Sequence, residues 1–395
     1  MKFGKFAYPL YVLFLLVVFF AVMECGARAK YQKSYLAANI QKDPVFHHLL
    51  PPNTRGTMSS EGDFDDVFVT NNRGMRGPGD YAYDKKEGVT RIAVMGDSFT
   101  FGVGVKTEET YSSLLQKSLD ASDPGRNEVL NFGVSSFSPV LEYIYLKKEV
   151  ARYRPDVLVL ALDLCDVQDD YFYEPHLLRD KSGQIIACDP FRIHGRPDVW
   201  AILKERSVFC AILDEKVVQS FRKMRTMGFV KYFRNKKNKV RNKTAILLDP
   251  HSDNIEFDRF LFAREHKDVA VVLPHWQRTA RYLVMIKKFC DEHSMRFVLT
   301  AYPYGHEVGT NQWSKGREYW GFAKDRVDDA SASFALIRSF AAENGIDFVS
   351  LLEPMKRRAD DKLYYNNDGH WTALGHRTAA QALLASEPFQ NNLKK

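Results

Sequence analysis

RIAVMGDSFTFGVG spans Arg91 to Gly104. Arg91 to Met95 reads as a short apolar strand, Gly96 and Asp97 break it, and Ser98 sits in the turn that follows. Thr107 to Leu119 has the pattern of a helix, with Thr107 at the N-cap and Glu108 and Glu109 in the first turn, where carboxylates suit the helix dipole. A serine between a strand end and a helix start can hold its hydroxyl exposed beside backbone N–H groups. Acyl transfer needs those two features: a nucleophilic hydroxyl, and donors where the oxyanion develops. Gly-Asp-Ser after a strand also occurs in turns that merely connect elements or bind phosphate, so the rest of such a site has to come from elsewhere in the chain.

Downstream, strand and helix alternate. Glu128 to Asn131 is a second strand, ending at Phe132-Gly133-Val134-Ser135-Ser136. Pro139 to Arg152 is a helix with Pro in its first turn, where the missing N–H costs nothing. Asp156 to Leu164 (DVLVLALDL) is apolar enough for a central parallel strand. Arg296 to Tyr302 and Ile346 to Leu351 are two more strands, each preceded by a helical stretch, His275 to His293 and Ala330 to Asn344. This order calls for an α/β fold with a parallel sheet and helices on both faces. Function in such sheets collects at the carboxyl ends of the strands. Ser98, Ser136, Cys165 and Pro303 all follow strand ends and should line one edge.

The chain has 395 residues, a 45% apolar fraction normal for a globular core, and a net charge of +7. Most of the positive excess lies in Arg222 to Lys243 (RKMRTMGFVKYFRNKKNKVRNK). Five cysteines (Cys25, Cys165, Cys188, Cys210 and Cys290) lie far apart with no C-x-x-C pair, so no zinc spacing or dense disulfide framework is visible. One disulfide among the later cysteines stays open. Phe6 to Met23 is an uncharged apolar run of about the length that spans a bilayer. Ala27-Arg28-Ala29 has the spacing of a signal-peptidase site, but the run is long for a signal sequence and Glu24 and Arg28 suit cleavage poorly. An uncleaved anchor over residues 1–30 is the preferred reading, with the bulk of the chain exported. Residues 31–89 form a polar approach segment that wraps the domain edge as short strands and turns.

Between Cys165 and His275 the alternation fails over a stretch too long for a loop, which marks an insertion at about 166–275 with its own helices over the sheet's carboxyl edge. Within it, Val217 to Val240 mixes basic residues with Phe221, Met224, Met227, Phe229, Val230, Tyr232 and Phe233. Such a stretch is either a solvated helical face packed on the sheet or a basic amphipathic surface for anionic lipid or an acidic glycan. An anchored, exported chain argues against a nucleic-acid partner.

Tyr364 to Arg377 reads YYNNDGHWTALGHR. Asp368 and His370 lie two residues apart just before a helix that Thr372 can cap. On an extended turn that spacing lets the carboxylate take the imidazole Nδ1–H and leaves Nε2 facing a serine. His376, about one and a half turns later, reads as packing. GDSFTFG together with NDGHWTALGH resembles the SGNH, or GDSL, family of serine esterases and acyl transferases, over roughly Asn71 to the C-terminus. Thr70-Asn71-Asn72-Arg73-Gly74-Met75-Arg76-Gly77 and Asn131-Phe132-Gly133-Val134 share in it. It is especially similar to membrane-anchored bacterial members found with envelope polysaccharide modification. The resemblance implies a flavodoxin-like doubly wound sheet over 90–390, with Ser98 as nucleophile, His370 as base and Asp368 orienting the base. Two positions depart from it. Ser136 stands where a Gly usually offers its N–H to the oxyanion. Cys165 stands where an Asn side chain usually helps, and a thiol is a weak donor. Gln168 or Asn131 are the substitutes at hand.

The function expected is a serine esterase or O-acyltransferase acting on acyl, chiefly acetyl, esters of an envelope or extracellular glycan, with an acylated glycan or a small ester as substrate. The domain would face the periplasm from the bacterial inner membrane, and no cofactor or metal is implied. The contrasting reading is a glycan-binding scaffold on a decayed site, motivated by Cys165 and Ser136. A metal enzyme would have to use the acidic run Asp163, Asp166, Asp169 and Asp170, which reads better as a solvated or N-capping stretch. Asp163 interrupts an apolar strand and must find a partner.

Overall fold

The structure is a computed structural model that describes residues 4–31, 40–77, 79–192, 207–213, 258–265, 270 and 272–393. The chain divides into two units, Met1–Ser34 with His194–Leu247, and Tyr35–Ile193 with Leu248–Lys395.

The second unit is built on five parallel strands: β1 (Thr90–Gly96), β2 (Asn127–Gly133), β3 (Val157–Leu162), β4 (Arg296–Ala301) and β5 (Asp347–Ser350). Their spatial order is β5-β4-β3-β1-β2, the doubly wound order 2-1-3-4-5. Every residue of β1 and β3 is buried, which explains their unbroken apolar runs. Right-handed crossovers dictate where the helices go. The step from β1 to β2 runs one way along the sheet and all later steps run the other. The helix after β1 therefore lies on one face, and those after β2, β3 and β4 lie on the opposite face. The packing agrees. Helix α2 (Tyr111–Ser122) contacts the penultimate helix Ala373–Ala385, while α3 (Pro139–Lys148), α4 (Asp166–Tyr173) and α5 (Leu273–Glu292) contact one another. The strand order reverses between β1 and β3, and in doubly wound sheets the carboxyl ends at such a switch point are where ligands bind.

Three local expectations change. Ser98 is the first residue of a one-turn helix, α1 (Ser98–Phe101), because the Asp97 side chain caps it by accepting the Phe99 N–H at 2.9 Å. The helix expected from Thr107 begins at Tyr111. Thr107 Oγ1 is occupied by Arg76 Nε at 3.1 Å, so residues 107–109 make a single 3-10 turn and Thr110 caps α2 through the Ser113 N–H. The Pro139 helix ends at Lys148, followed by a separate 3-10 turn.

Residues 40–77 form two antiparallel hairpins, Gln41–Asp43 with His47–Leu49 and Arg55–Ser60 with Phe64–Val69. The stretch after β3 carries α4 and then a hairpin, Leu177–Arg179 with Ile185–Cys188. The basic stretch 222–243 lies outside the described residues. All five cysteines are free, so the disulfide left open by the sequence is absent.

In the first unit, the N-terminal helix Gly4–Tyr31 contains Tyr8–Gly26, long and apolar enough to cross a membrane. A signal sequence would share those properties. The Glu24 carboxylate accepts from Ser207 Oγ (2.7 Å) and from the Phe209 N–H (3.0 Å), at the start of helix Val208–Leu213. The Phe20 and Phe209 rings meet edge to face, 5.7 Å apart.

Candidate active site

Ser98 follows the carboxyl end of β1, at the point where the strand order reverses. Its Oγ lies 2.7 Å from His370 Nε2 and 3.2 Å from Asp97 Oδ2. With one proton to give, the Ser98 hydroxyl donates either to Asp97 or to His370, and Asp97 is itself fixed from two sides. Besides capping α1, Asp97 Oδ1 accepts the Tyr302 hydroxyl at 2.9 Å from the end of β4. As a first-turn residue, Ser98 has an N–H without an acceptor inside its own helix. Gly133 is what lets α1 sit so close to β2. A Cβ there would come 2.2 Å from Phe101 N and 2.6 Å from Thr100 C, both backbone atoms.

His370 stands at the end of a loop opposite. Its Nδ1 hydrogen-bonds Asp368 Oδ1, and its ring packs on Phe99 with centroids 4.7 Å apart. Gly369, between the two, has φ +91°, and a Cβ there would lie 2.6 Å from the Trp313 indole nitrogen. Only glycine lets the chain double back so that Asp368 reaches the ring beside it. Burial works against charging the imidazole, but the Asp368 carboxylate, with Asp97 and Asp163 farther off, outweighs it, so the His370 pKa lies above its ordinary value. Burial likewise opposes the Asp368 charge, and the imidazole overcomes it and draws that pKa below the usual carboxylate range. His376 is buried, stacks on Tyr111, and is lowered to about 3 chiefly by burial. It packs, and takes no part in the pair.

The Asp368 loop is held by a residue the sequence did not mark. Asp63, in the turn of hairpin 55–69, accepts the backbone N–H groups of Asn366 (3.1 Å), Asn367 (2.7 Å) and Asp368 (2.8 Å). Glu61-Gly62-Asp63 reads as an ordinary surface turn, and nothing local shows that it faces residues three hundred positions away.

The oxyanion candidates fare unequally. Ser136 has φ +62°. It is the third residue of a turn closed by the Phe137 N–H on Val134 O at 3.0 Å, the pattern of a type II turn, which favours glycine there. A side chain in that conformation costs on the order of 1 kcal/mol. The turn is tied to β1 by the Val134 N–H on Gly96 O at 3.0 Å. Cys165 contributes nothing to an oxyanion in this arrangement. Its N–H is taken by Asp163 Oδ1 at 2.8 Å, its thiol is buried 3.0 Å from the Tyr304 hydroxyl, and burial holds its pKa well above the ordinary thiol range. Asn131 is no substitute either, since its side chain donates to Thr100 O and Ser112 Oγ and accepts from the Gly133 N–H. Gln168 is buried on α4.

Asp163 finds its partner in the Tyr304 hydroxyl, 2.6 and 2.7 Å from its two oxygens, and burial followed by the Asp97 charge pushes its pKa up to about 7. The rest of the acidic run is structural. Asp166 accepts the Asp163 N–H, Asp169 pairs with Arg259, and Asp170 accepts from Ser138, Val140 and Thr279. Among the described residues no group of three or more His, Cys, Asp or Glu is placed to hold a metal ion.

No protein-family model matches this sequence, and none of the curated proteins matches it. Among solved structures, the chain is similar to LAE5, an alpha/beta hydrolase enzyme from the metagenome of Lake Arreo, at 13% identity and a TM-score of 0.39, covering 79% of this chain and 99% of that one. It is similar to the acetyl xylan esterase AlAXEase at 13% identity and 0.38, covering 75% and 98%. It is also similar to Axe2, an acetylxylan esterase from Geobacillus stearothermophilus, at 12% identity and 0.38, covering 77% and 98%. At identities and TM-scores this low, these likenesses say nothing of what this chain acts on.

Proposed function

We propose that the chain is a serine esterase or O-acyltransferase of the SGNH type, acting on acyl esters, chiefly acetyl esters, of an envelope glycan. The observation that carries this reading is the unbroken relay from Ser98 Oγ to His370 Nε2 at 2.7 Å and on through Nδ1 to Asp368. It stands at the switch point of a doubly wound sheet, where such folds place their ligands. The strand order 2-1-3-4-5 also supports the SGNH assignment.

In the first half-reaction Ser98 Oγ bonds to the ester carbonyl carbon as its proton passes to His370 Nε2. The carbonyl π pair moves onto oxygen, where the Ser98 and Ser136 N–H groups serve as donors. Asp368 holds the imidazolium. Collapse of the intermediate breaks the bond to the sugar oxygen, which takes the proton from Nε2 and leaves as a hydroxyl. Acyl-Ser98 then passes to water in an esterase or to a sugar hydroxyl in a transferase, by the same steps reversed. With two donors in place of three, the rate should sit about two to three orders of magnitude below that of a site with all three.

The N-terminal helix is proposed as a retained anchor in the inner membrane, with the sheet unit in the periplasm. Its contacts with Ser207 and Phe209 support retention, because removing the helix would leave those groups without Glu24 and Phe20.

Covalent labelling by a fluorophosphonate tests the reading, beside p-nitrophenyl acetate turnover with and without sugar acceptors. Wild type should label and turn over, while S98A should do neither. A folded wild type that does not label would overturn it. It would favour the glycan-binding scaffold, to which the commitment of the Cys165 N–H to Asp163 already points.

A further inference from the structure

The turn carrying Ser136 is gripped from outside the sheet. His48 Nε2 lies 2.7 Å from Ser135 O, and the Tyr173 hydroxyl donates to Ser136 O at 2.8 Å. Consecutive carbonyls, flanking the peptide N–H of Ser136 on either side, are thus fixed by two side chains from different parts of the chain. His48 belongs to the hairpin at residues 41–49 and Tyr173 ends α4. Neither can swing away. His48 is buried and its ring meets Phe137 edge to face at 5.2 Å, while its Nδ1 lies 2.9 Å from His47 Nδ1. His47 packs in turn on Tyr173 (4.9 Å) and His176 (5.4 Å). A carbonyl acceptor requires a proton on His48 Nε2. That leaves Nδ1 to accept from the His47 Nδ1–H, and burial lowers both pKa values, favouring the neutral pair this requires.

The grip matters because of the residue it acts on. At this position a type II turn favours glycine, yet the chain has Ser136 at φ +62°. Left alone, a serine there tends to relax toward negative φ, which rotates the adjoining peptide planes and turns its N–H away. We propose that His48 and Tyr173 are positioning residues that lock the Ser135–Ser136 turn and so aim the Ser136 N–H at the developing oxyanion. This rests on the esterase or transferase reading of Ser98. It assigns a catalytic purpose to the hairpin at residues 41–49, which has no residue in the relay itself.

The test is a double-mutant cycle on p-nitrophenyl acetate. H48A should lower kcat by about tenfold to a hundredfold, short of the full loss of an oxyanion donor, with KM unchanged within twofold. H48Q, whose amide N–H reaches about where Nε2 stood, should recover to within threefold of wild type. Y173F, which removes only the hydroxyl, should fall between and guards against a misfolded H48A. The decisive arm is S136G, because glycine adopts the turn without help. In the S136G background the H48A loss should shrink to threefold or less. An H48A loss equally large in both backgrounds, or a kcat within twofold of wild type for both H48A and Y173F, overturns the inference while the Ser98 reading stands. A folded wild type with no turnover that S98A abolishes overturns both.

Discussion

Replacing Asp63 by alanine removes a carboxylate that never approaches the Ser98 hydroxyl, and the relay should suffer for it. Asp63 accepts three backbone N–H groups, from Asn366, Asn367 and Asp368, at 3.1, 2.7 and 2.8 Å. Hydrogen bonds to a charged acceptor contribute about 1.5–3 kcal/mol each. Asp63 is half-buried, so water competes and about 1 kcal/mol per bond is the sounder figure, or about 3 kcal/mol for the three. Other ties stay in place. Asn366 O still accepts from Lys315 and Gly316 at 2.9 Å, and the Tyr365 hydroxyl still reaches Gly104 O at 2.6 Å. The loop therefore loosens rather than detaches, and the penalty falls on the population that keeps Asp368 and His370 in line. At about 1.4 kcal/mol per tenfold, D63A should lower kcat/KM by about tenfold to a hundredfold, mostly in kcat. The melting temperature should fall by only a few degrees. D63N should lose about tenfold, since its one oxygen can serve two of the N–H groups while its amide faces the third. Steady-state turnover and the fluorophosphonate labelling rate, with thermal melts alongside, measure all of this. D63A with kcat/KM within twofold of wild type would refute the claim that this hairpin holds the catalytic loop.

Four further outcomes are expected. With His370 as the proposed base, which must be neutral to act, its raised pKa places the acid limb of kcat/KM above the ordinary histidine value of 6.5, and D368N should move that limb down while lowering kcat. A limb unmoved by D368N would show that Asp368 does not set it. The same pair has a stability window. The His370 contribution is complete below about pH 6.5 and lost as pH rises through its folded pKa, whereas that of Asp368 is lost as pH falls through its own lowered value; urea melts across pH read both limbs. G133A should force α1 off the end of β2, because its Cβ would meet the Phe101 and Thr100 backbone at 2.2 and 2.6 Å. A loss of about a hundredfold in kcat is expected, with destabilisation of about 1–3 kcal/mol; near-normal turnover would mean the contact can relax. A retained anchor predicts that the intact mass of the chain extracted from membranes includes the N-terminal helix Gly4–Tyr31. A mature chain lacking its N-terminal helix would contradict retention.

Much of this was legible from residues alone, for local reasons. Strands β1 and β3 announce themselves because a central parallel strand is buried on both faces and must be apolar throughout. Thr372 as a helix cap, and Asp368 placed beside His370, are short-range facts of spacing. The sequence pattern places the start of α2 three residues early, because Thr107 is as good a cap as Thr110 until Arg76, thirty-one positions away, takes its hydroxyl.

The alternation of buried strands and helices, and the residue types able to form a relay, are readable from the residues, because burial and hydrogen-bonding capacity are written into side-chain chemistry. It takes the folded chain to show that Ser98 and His370 meet, that Cys165 gives its N–H to Asp163, and that Asp63 and His48 hold the loops that carry Asp368 and Ser136. Those four facts share a physical cause. Each is a hydrogen bond whose partners are chosen by backbone geometry, and for three of them that geometry closes only when segments far apart in the chain are brought together by the sheet.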